Sequence, residues 1–216
     1  MSVAENLVAI QSQIQTACKQ AGRDPAEVIL VAVSKTFPVE SIREAYEAGH
    51  RHFGESRLQE AQPKIEALPD DIVWHFVGTL QSNKAKKIAQ LFHVIHTIDS
   101  EGQLKEIAKA GRQVQGFVEV NIANEPQKAG ISADDLDDFN KVALHYQKVR
   151  LCGLMTIGPA VDDAEKSRTY FRELRTLARR IGVEDLSMGM SQDFDVAIQE
   201  GATHVRIGSA IFGSRT

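Results

Sequence analysis

Residues 28–33 read VILVAV, a continuous apolar run made mostly of β-branched residues. The run is too short for a buried helix and lacks the polar alternation of a half-solvated strand, so it predicts a strand buried on both faces. Apolar residues at helical spacing precede it over residues 7–21, and a second helical pattern follows from Pro38 to Gly49. This stretch therefore predicts a helix, a buried strand and another helix.

The same alternation of strand and helix continues to the end of the chain. Strands are predicted at residues 28–33, 52–54, 72–77, 94–98, 115–122, 149–155, 186–189 and 204–207. Helices after the first two are predicted at residues 82–91, 100–111, 132–146, 162–181 and 192–200, with a short one after Ser209. Eight strand–helix units predict an α/β fold, a closed (β/α)8 TIM barrel with an extra N-terminal helix. A doubly wound open sheet is the competing architecture, because only the count of eight favours closure.

The composition is that of an ordinary globular protein: 216 residues, 43% of them hydrophobic, with 25 basic against 29 acidic residues and a net charge of −4. No flexible linker interrupts residues 1–216, so a single domain is expected. A mildly acidic chain disfavours nucleic acid or a membrane surface as partner. No apolar run approaches the roughly 20 residues of a membrane span, and Glu5 interrupts any signal peptide, so we expect a cytoplasmic protein. Cys18 and Cys152 form no metal-binding or disulfide motif.

The active site of a barrel lies at the carboxyl ends of its strands, where this sequence has one lysine. Lys35 follows the apolar run 28–33 after a single serine, Ser34. A solvated strand-end lysine is the ordinary interpretation. A desolvated lysine with a lowered pKa is instead a nucleophile that condenses with an aldehyde or ketone. Schiff-base formation at Lys35 is thus one hypothesis.

Small polar residues follow the last two strands. Ser191 precedes one predicted helix, and Gly208 with Ser209 leads into the final short one. Backbone N–H groups, two hydroxyls and two helix N-termini then converge where barrels commonly hold a phosphate. Each serine alone has an ordinary interpretation, Ser191 as an N-cap and Ser209 as part of a turn. Together they indicate a phosphate site.

Arg206 shares its face of the last strand with His204 and Gly208. An arginine inside a barrel needs an acceptor, which is either a carboxylate such as Glu119 or a ligand. A nucleophilic lysine, a phosphate cradle and an inward-facing arginine fit pyridoxal 5′-phosphate (PLP). Lys35 would bind the aldehyde, the loops after the last two strands the phosphate, and Arg206 the ring nitrogen.

Several motifs in order along the chain resemble one known family. They are VAVSKT (31–36), FGE (53–55), HFVG (75–78), LQSNK (80–84), GLM (153–155), LSMGMS (186–191) and VRIGSAIFG (205–213). The sequence is similar to the pyridoxal phosphate homeostasis proteins from end to end. The resemblance implies a barrel like the N-terminal domain of bacterial alanine racemase (PLP fold type III). It also implies a protein that binds and buffers PLP and delivers it to PLP-dependent apoenzymes.

The resemblance also implies individual cofactor contacts. Carried over by position, the aldimine forms on Lys35, the phosphate is held by Ser191, Gly208 and Ser209, the pyridine nitrogen faces Arg206, and the ring-side neighbours are Met155 and His75. Ser56 stands where the family commonly has asparagine, so it is not expected to be a contact. Residues 81–87 are expected to be a solvated helix face, with cofactor transfer or partner docking as the alternative.

Turnover is not expected. A racemase needs a second acid/base group opposite its lysine, which in alanine racemase is a tyrosine supplied with a separate C-terminal domain. Here the chain ends at Thr216, so we expect a monomer without that domain, and helical patterns contain all three tyrosines, Tyr46, Tyr146 and Tyr170. Arg206 at the ring nitrogen would also weaken the ring as an electron sink. The alternatives are a weak PLP-dependent amino-acid racemase and an aldolase whose Lys35 attacks a phosphorylated sugar.

Overall fold

Eight parallel strands form a closed barrel in the computed structural model, which describes residues 2–159 and 161–213. The strands are β1 (Ile29–Val33), β2 (His52–Glu55), β3 (Val73–Phe76), β4 (Val94–Ile98), β5 (Val114–Glu119), β6 (Val149–Met155), β7 (Asp185–Ser187) and β8 (His204–Ile207). Each strand pairs in parallel with the next, and β8 pairs with β1 from Ile29↔His204 to Ala32↔Ile207. The predicted TIM barrel is confirmed, and the β1–β8 pairing rules out the open sheet.

Helices cover the outside of the barrel. They are α1 (Val3–Gln20), α2 (Val39–Glu47), α3 (Leu58–Ala67), α4 (Ser82–Leu91), α5 (Glu101–Ala108), α6 (Leu136–Ala143), α7 (Arg168–Ile181), α8 (Phe194–Gln199) and α9 (Ser209–Phe212), with 3₁₀ turns at Pro25–Glu27 and Ala164–Ser167. The extra N-terminal helix is α1, which begins with a capping box between Ser2 and Glu5. It packs against α8 and α9 beside the β1–β8 seam. None of the helices in the described ranges is both long and apolar enough to cross a membrane.

Three helices begin later than the sequence predicted, because a side chain closes a turn first. The helix predicted at 132–146 corresponds to α6, which begins only at Leu136. Before it, Ser132 Oγ accepts a hydrogen bond from the Asp135 N–H and closes a turn. The helix predicted at 162–181 begins with a 3₁₀ turn capped by Asp163, and α7 follows. The helix predicted at 192–200 is α8, which begins only after Asp193.

The sequence analysis gave no bounds for the helix that follows β2, and the structure places α3 there. Its interior holds Pro63, which cannot donate a backbone hydrogen bond and ordinarily breaks a helix. Two neighbours of this proline are buried, Ala61 and Lys64. Lys64 fastens the helix to the barrel by donating to the Ser34 carbonyl oxygen and to Glu55 Oε1. Tertiary contacts therefore override the local preference against a helix.

The strand predicted at 115–122 is also shorter in the structure. β5 ends at Glu119, and Val120 then makes an isolated bridge to Ile131. The carboxyl end of β5 consequently lies level with that of β6, because Glu119 is in register with Met155.

Candidate functional site

Two adjoining cavities lie at the carboxyl ends of the strands, and Lys35 lines both. The larger has a volume of about 960 Å³ and the smaller about 440 Å³. The larger cavity brings together five of the residues predicted from the sequence: Lys35, Ser191, Arg206, Gly208 and Ser209. The smaller cavity is lined by a different set that includes Glu119, Thr97, Gly78 and Ser56. Lys35 therefore stands between the cavity that contains Arg206 and the cavity that contains Glu119.

A tight turn after β1 positions Lys35. The Ser34 N–H donates to the Gly54 carbonyl of β2, and the Phe37 N–H donates back to the Ser34 carbonyl. Thr36 has a φ of 71°, in the left-handed region that β-branched residues rarely occupy. The Thr36 N–H donates to Glu60 of α3. The strained turn ends the strand at once and leaves Lys35 half-buried.

A buried ion pair supports this turn from behind. Lys64 Nζ lies 2.8 Å from Glu55 Oε1 and 2.8 Å from Glu60 Oε1, while the Ser34 hydroxyl donates to Glu55 Oε1 at 2.8 Å. Burial raises the pKa of Glu55, and the hydrogen bond from Lys64 opposes that rise. Losing either member would leave a charge buried without its partner. Lys64 was not predicted, although its spacing from Glu60 on a helix was a usable signal.

Arg206 is buried, and the partners that hold it are neutral. Its Nη1 donates to Ser187 Oγ at 2.6 Å, and its Nη2 donates to the Thr156 carbonyl oxygen at 2.9 Å. Burial lowers its pKa to about 10, and the charges of Glu119 and Asp193 oppose that change, so the guanidinium remains charged at neutral pH. The ion pair between Arg206 and Glu119 that the sequence suggested is wrong. In residues 2–159 and 161–213, no carboxylate oxygen lies within 4.0 Å of the Arg206 nitrogens.

Glu119 is a titratable group of the smaller cavity. Its side chain is buried and stands at the end of β5. Burial and the nearby Asp99 raise its pKa to about 7, while the charge of Arg206 acts in the opposite direction. The sequence analysis considered this residue only as an ion-pair partner. A carboxyl group that titrates near neutral pH and shares a cavity with Lys35 is instead a candidate proton acceptor.

One of the two serines that line the larger cavity, Ser191, does not have the structural role considered for it. Ser191 is not the N-cap of α8, because that position belongs to Asp193. The Asp193 carboxylate accepts from the Met190 N–H at 2.8 Å and from the Ser167 hydroxyl at 2.9 Å, which folds residues 190–193 into a turn. The capping role considered for Ser191 is therefore wrong.

Gly208 caps α9, and Ser209 is the first residue of that helix. A Cβ on Gly208 would lie 3.1 Å from the Val33 carbonyl oxygen of β1. The absence of a side chain thus lets the β8–α9 turn close against β1, next to Lys35. Ser209 is exposed.

Met155 and His75 do not line the larger cavity with the other predicted residues. Met155 is buried in the barrel interior, where it packs with Val94 and Phe117. His75 is buried between two further histidines, with its Nε2 3.0 Å from His52 Nδ1 and its Nδ1 2.9 Å from His96 Nε2. This histidine cluster was not predicted, because its members stand on separate strands.

The remaining features singled out in the sequence lie at the edges of the site. Ser56 lines the smaller cavity, and a Cβ on Gly78 would lie only 2.1 Å from the Ser56 carbonyl oxygen. Residues 81–87 form the start of α4, with Lys86 and Lys87 exposed and Lys84 lining the smaller cavity. Among the described residues that line either cavity there is no tyrosine.

Comparison with known proteins places the chain in a family and supports its fold. Residues 6–216 match the family described as the alanine racemase N-terminal domain. The chain is 42% identical over 226 residues to the pyridoxal phosphate homeostasis protein of Aquifex aeolicus, an alignment that covers 100% of this chain and 99% of that protein. PipY of Synechococcus elongatus, solved with PLP bound, is 36% identical, has a TM-score of 0.86 and is matched over 98% of this chain and 100% of its own.

Alanine racemase shares the barrel at much lower sequence similarity. The enzyme from Bartonella henselae, solved with covalently bound pyridoxal phosphate, is 14% identical with a TM-score of 0.73. The match covers 97% of this chain and 59% of the enzyme, and at this identity it shows the fold alone. The chain therefore belongs to the pyridoxal phosphate homeostasis protein family, and its barrel is that of the alanine racemase N-terminal domain.

Proposed function

We propose that the protein binds PLP in the larger cavity, holds it reversibly through Lys35, and serves PLP homeostasis as a carrier without catalytic turnover. Support comes from the relatives named as PLP homeostasis proteins and from PipY, which was solved with PLP bound. The single observation that carries the assignment to this site is the convergence of a half-buried lysine, two serine hydroxyls and a buried arginine on one cavity.

The residues present fit the cofactor. Arg206 lines the cavity with its charge, and its two protein partners are neutral oxygens, so an acceptor on a ligand suits it. A pyridine nitrogen is such an acceptor. Ser191 and Ser209 offer hydroxyl donors in the lining of the same cavity, as a phosphate requires. When bound, PLP supplies an aldehyde that condenses with a lysine amine into a Schiff base, which exchange with another amine reverses.

The remaining residues of the site support this binding. Lys35 provides the amine, and the Lys64–Glu55 pair holds the turn that presents it. Condensation requires a neutral amine, and Glu119, with a pKa of about 7 in the adjoining cavity, is the group assigned to take up the ammonium proton. Gly208 brings the β8–α9 turn within reach of the same ligand.

The described lining of the two cavities, which contains no tyrosine, supports a carrier over a racemase. The Tyr46 hydroxyl in α2 donates to Asp71, and the Tyr146 hydroxyl, which lies just after α6, donates to Glu101. Arg206 carries only donors, so it favours an unprotonated ring nitrogen and a weak electron sink. We therefore assign storage and delivery of PLP to this protein, with PLP-dependent apoenzymes as its clients, as a cytoplasmic monomer.

Titration of the cofactor-free protein with PLP tests the proposal. The expected result is a saturable absorbance band of a lysine-bound cofactor at one equivalent, abolished by borohydride. A protein that stays colourless with PLP but is trapped by borohydride with a phosphorylated sugar would be an aldolase, and the proposal would be rejected. Transfer is tested by mixing the loaded protein with a PLP-dependent apoenzyme, whose activity should recover.

A further inference from the structure

A line of hydrogen-bonded side chains runs through the barrel interior from the cavity to the amino end of β2. Arg206 Nη1 lies 2.6 Å from Ser187 Oγ, and Ser187 Oγ lies 2.7 Å from His96 Nδ1. His96 Nε2 lies 2.9 Å from His75 Nδ1, and His75 Nε2 lies 3.0 Å from His52 Nδ1. The five residues belong to β8, β7, β4, β3 and β2. We refer to them as the histidine line.

The histidine line is removed from water along most of its length. Ser187 and His96 are 0% exposed and His75 is 1% exposed, while His52, at the far end, is half-buried. Phe117 stacks on the His96 ring with a centroid distance of 4.6 Å. A polar line in such surroundings is stable only if each donor meets an acceptor.

The histidines are neutral. Burial holds the pKa of His52, His75 and His96 below the usual value. Electrostatic repulsion from neighbouring basic groups acts in the same direction, from His93 on His52, from His204 on His75, and from His75, His204 and Arg206 on His96. His204 borders the line, with its ring centroid 5.9 Å from that of His96. A neutral imidazole has one donor nitrogen and one acceptor nitrogen. Each histidine in the line must therefore donate on one side and accept on the other.

Arg206 sets the direction of the line. A guanidinium can only donate, so Ser187 Oγ accepts from it. Within the described part of the chain, the acceptor that the structure gives the Ser187 hydroxyl proton is His96 Nδ1. His96 then carries its proton on Nε2 and donates to His75 Nδ1, and His75 likewise donates from Nε2 to His52. The reverse direction would leave a buried hydroxyl proton without an acceptor, which is costly.

We propose that Ser187 and His96 are positioning residues for Arg206, and that the histidine line holds His96, His75 and His52 in the Nε2–H form. The direction of the line depends only on the contacts within this chain. Its consequence for the cofactor, a guanidinium held in one orientation toward the ring nitrogen, rests on the proposed function. His75, which the sequence analysis expected beside the ring, then acts through His96 instead.

Nitrogen-15 NMR of the cofactor-free protein tests the direction of the line. The expected spectrum shows His96, His75 and His52 each with a protonated Nε2 and an unprotonated Nδ1. A protonated Nδ1 on His96 or His75 would overturn the proposal. In Arg206→Met the anchor is lost, so His96 and His75 should shift toward a mixture of forms. His50, whose Nε2 lies 2.7 Å from the His52 carbonyl oxygen, is outside the line and serves as the internal control.

Two substitutions of His96 test the positioning role. His96→Asn keeps an oxygen acceptor for the Ser187 hydroxyl, whereas His96→Leu removes it. The side-chain Nη signals of Arg206 in the cofactor-free protein should stay resolved in His96→Asn, as in wild type. They should broaden or collapse in His96→Leu, as rotation of the guanidinium becomes several-fold faster. Unchanged Arg206 signals in His96→Leu would refute the positioning role, and Ser187→Ala repeats the test if His96→Leu does not fold.

These measurements need no cofactor, so the two proposals fail separately. A protein with the expected histidine forms that does not take up PLP would refute the proposed function and leave the histidine line intact. A protein that binds PLP through Lys35 with the opposite histidine forms would refute the histidine line alone.

Discussion

Arg206 donates from Nη2 to the carbonyl oxygen of Thr156 at 2.9 Å, although the two residues lie 50 positions apart. The bond ties the arginine of β8 to the backbone just after β6 instead of to a carboxylate. Its charge is therefore held in place without being cancelled by a contacting anion. A barrel interior tolerates such a cation at some cost, and an acceptor on a bound ligand would offset that cost.

Removing the two hydroxyls should weaken retention of PLP. Ser191→Ala and Ser209→Ala each delete one hydrogen bond to a phosphate, worth roughly 1.5–3 kcal/mol, so the Kd for PLP should rise at least tenfold in each. The absorbance band of the bound cofactor should not change, because Lys35 is intact. Equilibrium dialysis with PLP measures the effect, and Ser12→Ala on the exposed face of α1 is the matched control. Wild-type retention in the double variant would place the phosphate elsewhere.

Adding a methyl group at Gly208 should harm both stability and binding. Its Cβ would meet the Val33 carbonyl oxygen at 3.1 Å, and that carbonyl belongs to a strand paired on both sides. We expect Gly208→Ala to lower the free energy of unfolding by about 1–3 kcal/mol and to raise the Kd for PLP. Urea denaturation and PLP titration measure the two effects. The matched control is Gly158→Ala, because Gly158 lines the same cavity and nothing lies within 4 Å of the position of its Cβ. This variant should keep wild-type stability and PLP binding. Equal effects of the two substitutions would contradict the steric explanation.

Stability should depend on pH through Glu119. Its folded-state pKa of about 7 lies above the value of 4.5 for an exposed glutamate, so the folded state holds the proton more tightly. The resulting stabilisation is present below pH 4.5 and is lost as the pH rises to 7. Glu119→Gln removes the buried charge, so at pH 8 it should be more stable than wild type by up to about 3 kcal/mol. Urea denaturation should show that the difference in free energy of unfolding between the two proteins decreases toward pH 4.5. A difference that does not change with pH would contradict the raised pKa of Glu119.

Amino-acid turnover should be negligible. Mixing the PLP-loaded protein with L-alanine in heavy water should displace Lys35 from the cofactor without replacing the Cα proton by deuterium. The reason is that no tyrosine lines either cavity in the described ranges and that Arg206 disfavours a protonated ring. Proton NMR of the alanine measures exchange. Rapid deuterium incorporation with inversion, lost in Lys35→Ala, would identify a racemase.

The barrel and the position of several cavity residues were predictable because they depend on local sequence. An apolar run that ends at Val33, two residues before Lys35, predicts both the strand and the position of the lysine at its carboxyl end. Gly208 and Ser209, which follow β8, predict a tight turn in the same way. These signals need only the few residues around them.

The residues that the sequence did not reveal depend on contacts between distant elements. Ser187, His96 and His52 each look like isolated polar residues within a strand, and only barrel closure brings them into one line. The start of α8 was misplaced because the N-cap position belongs to Asp193 instead of Ser191, and the Asp193 carboxylate also binds the Ser167 hydroxyl, 26 positions away. α3 continues past Pro63 because Lys64 bonds to β2.

The attachment of PLP to Lys35 is the central claim, and peptide mapping after borohydride reduction tests it most directly. The wild-type protein, loaded with PLP and reduced, should carry a single pyridoxyl group on the peptide that contains Lys35. Lys35→Ala should fold with an unchanged circular dichroism spectrum and carry none, because the lysine lies beyond the apolar run of β1. Lys84 and Lys128 also line the cavities and are the competing acceptors. A reduced pyridoxyl group on either of them in the wild-type protein, with Lys35 unmodified, would contradict the account.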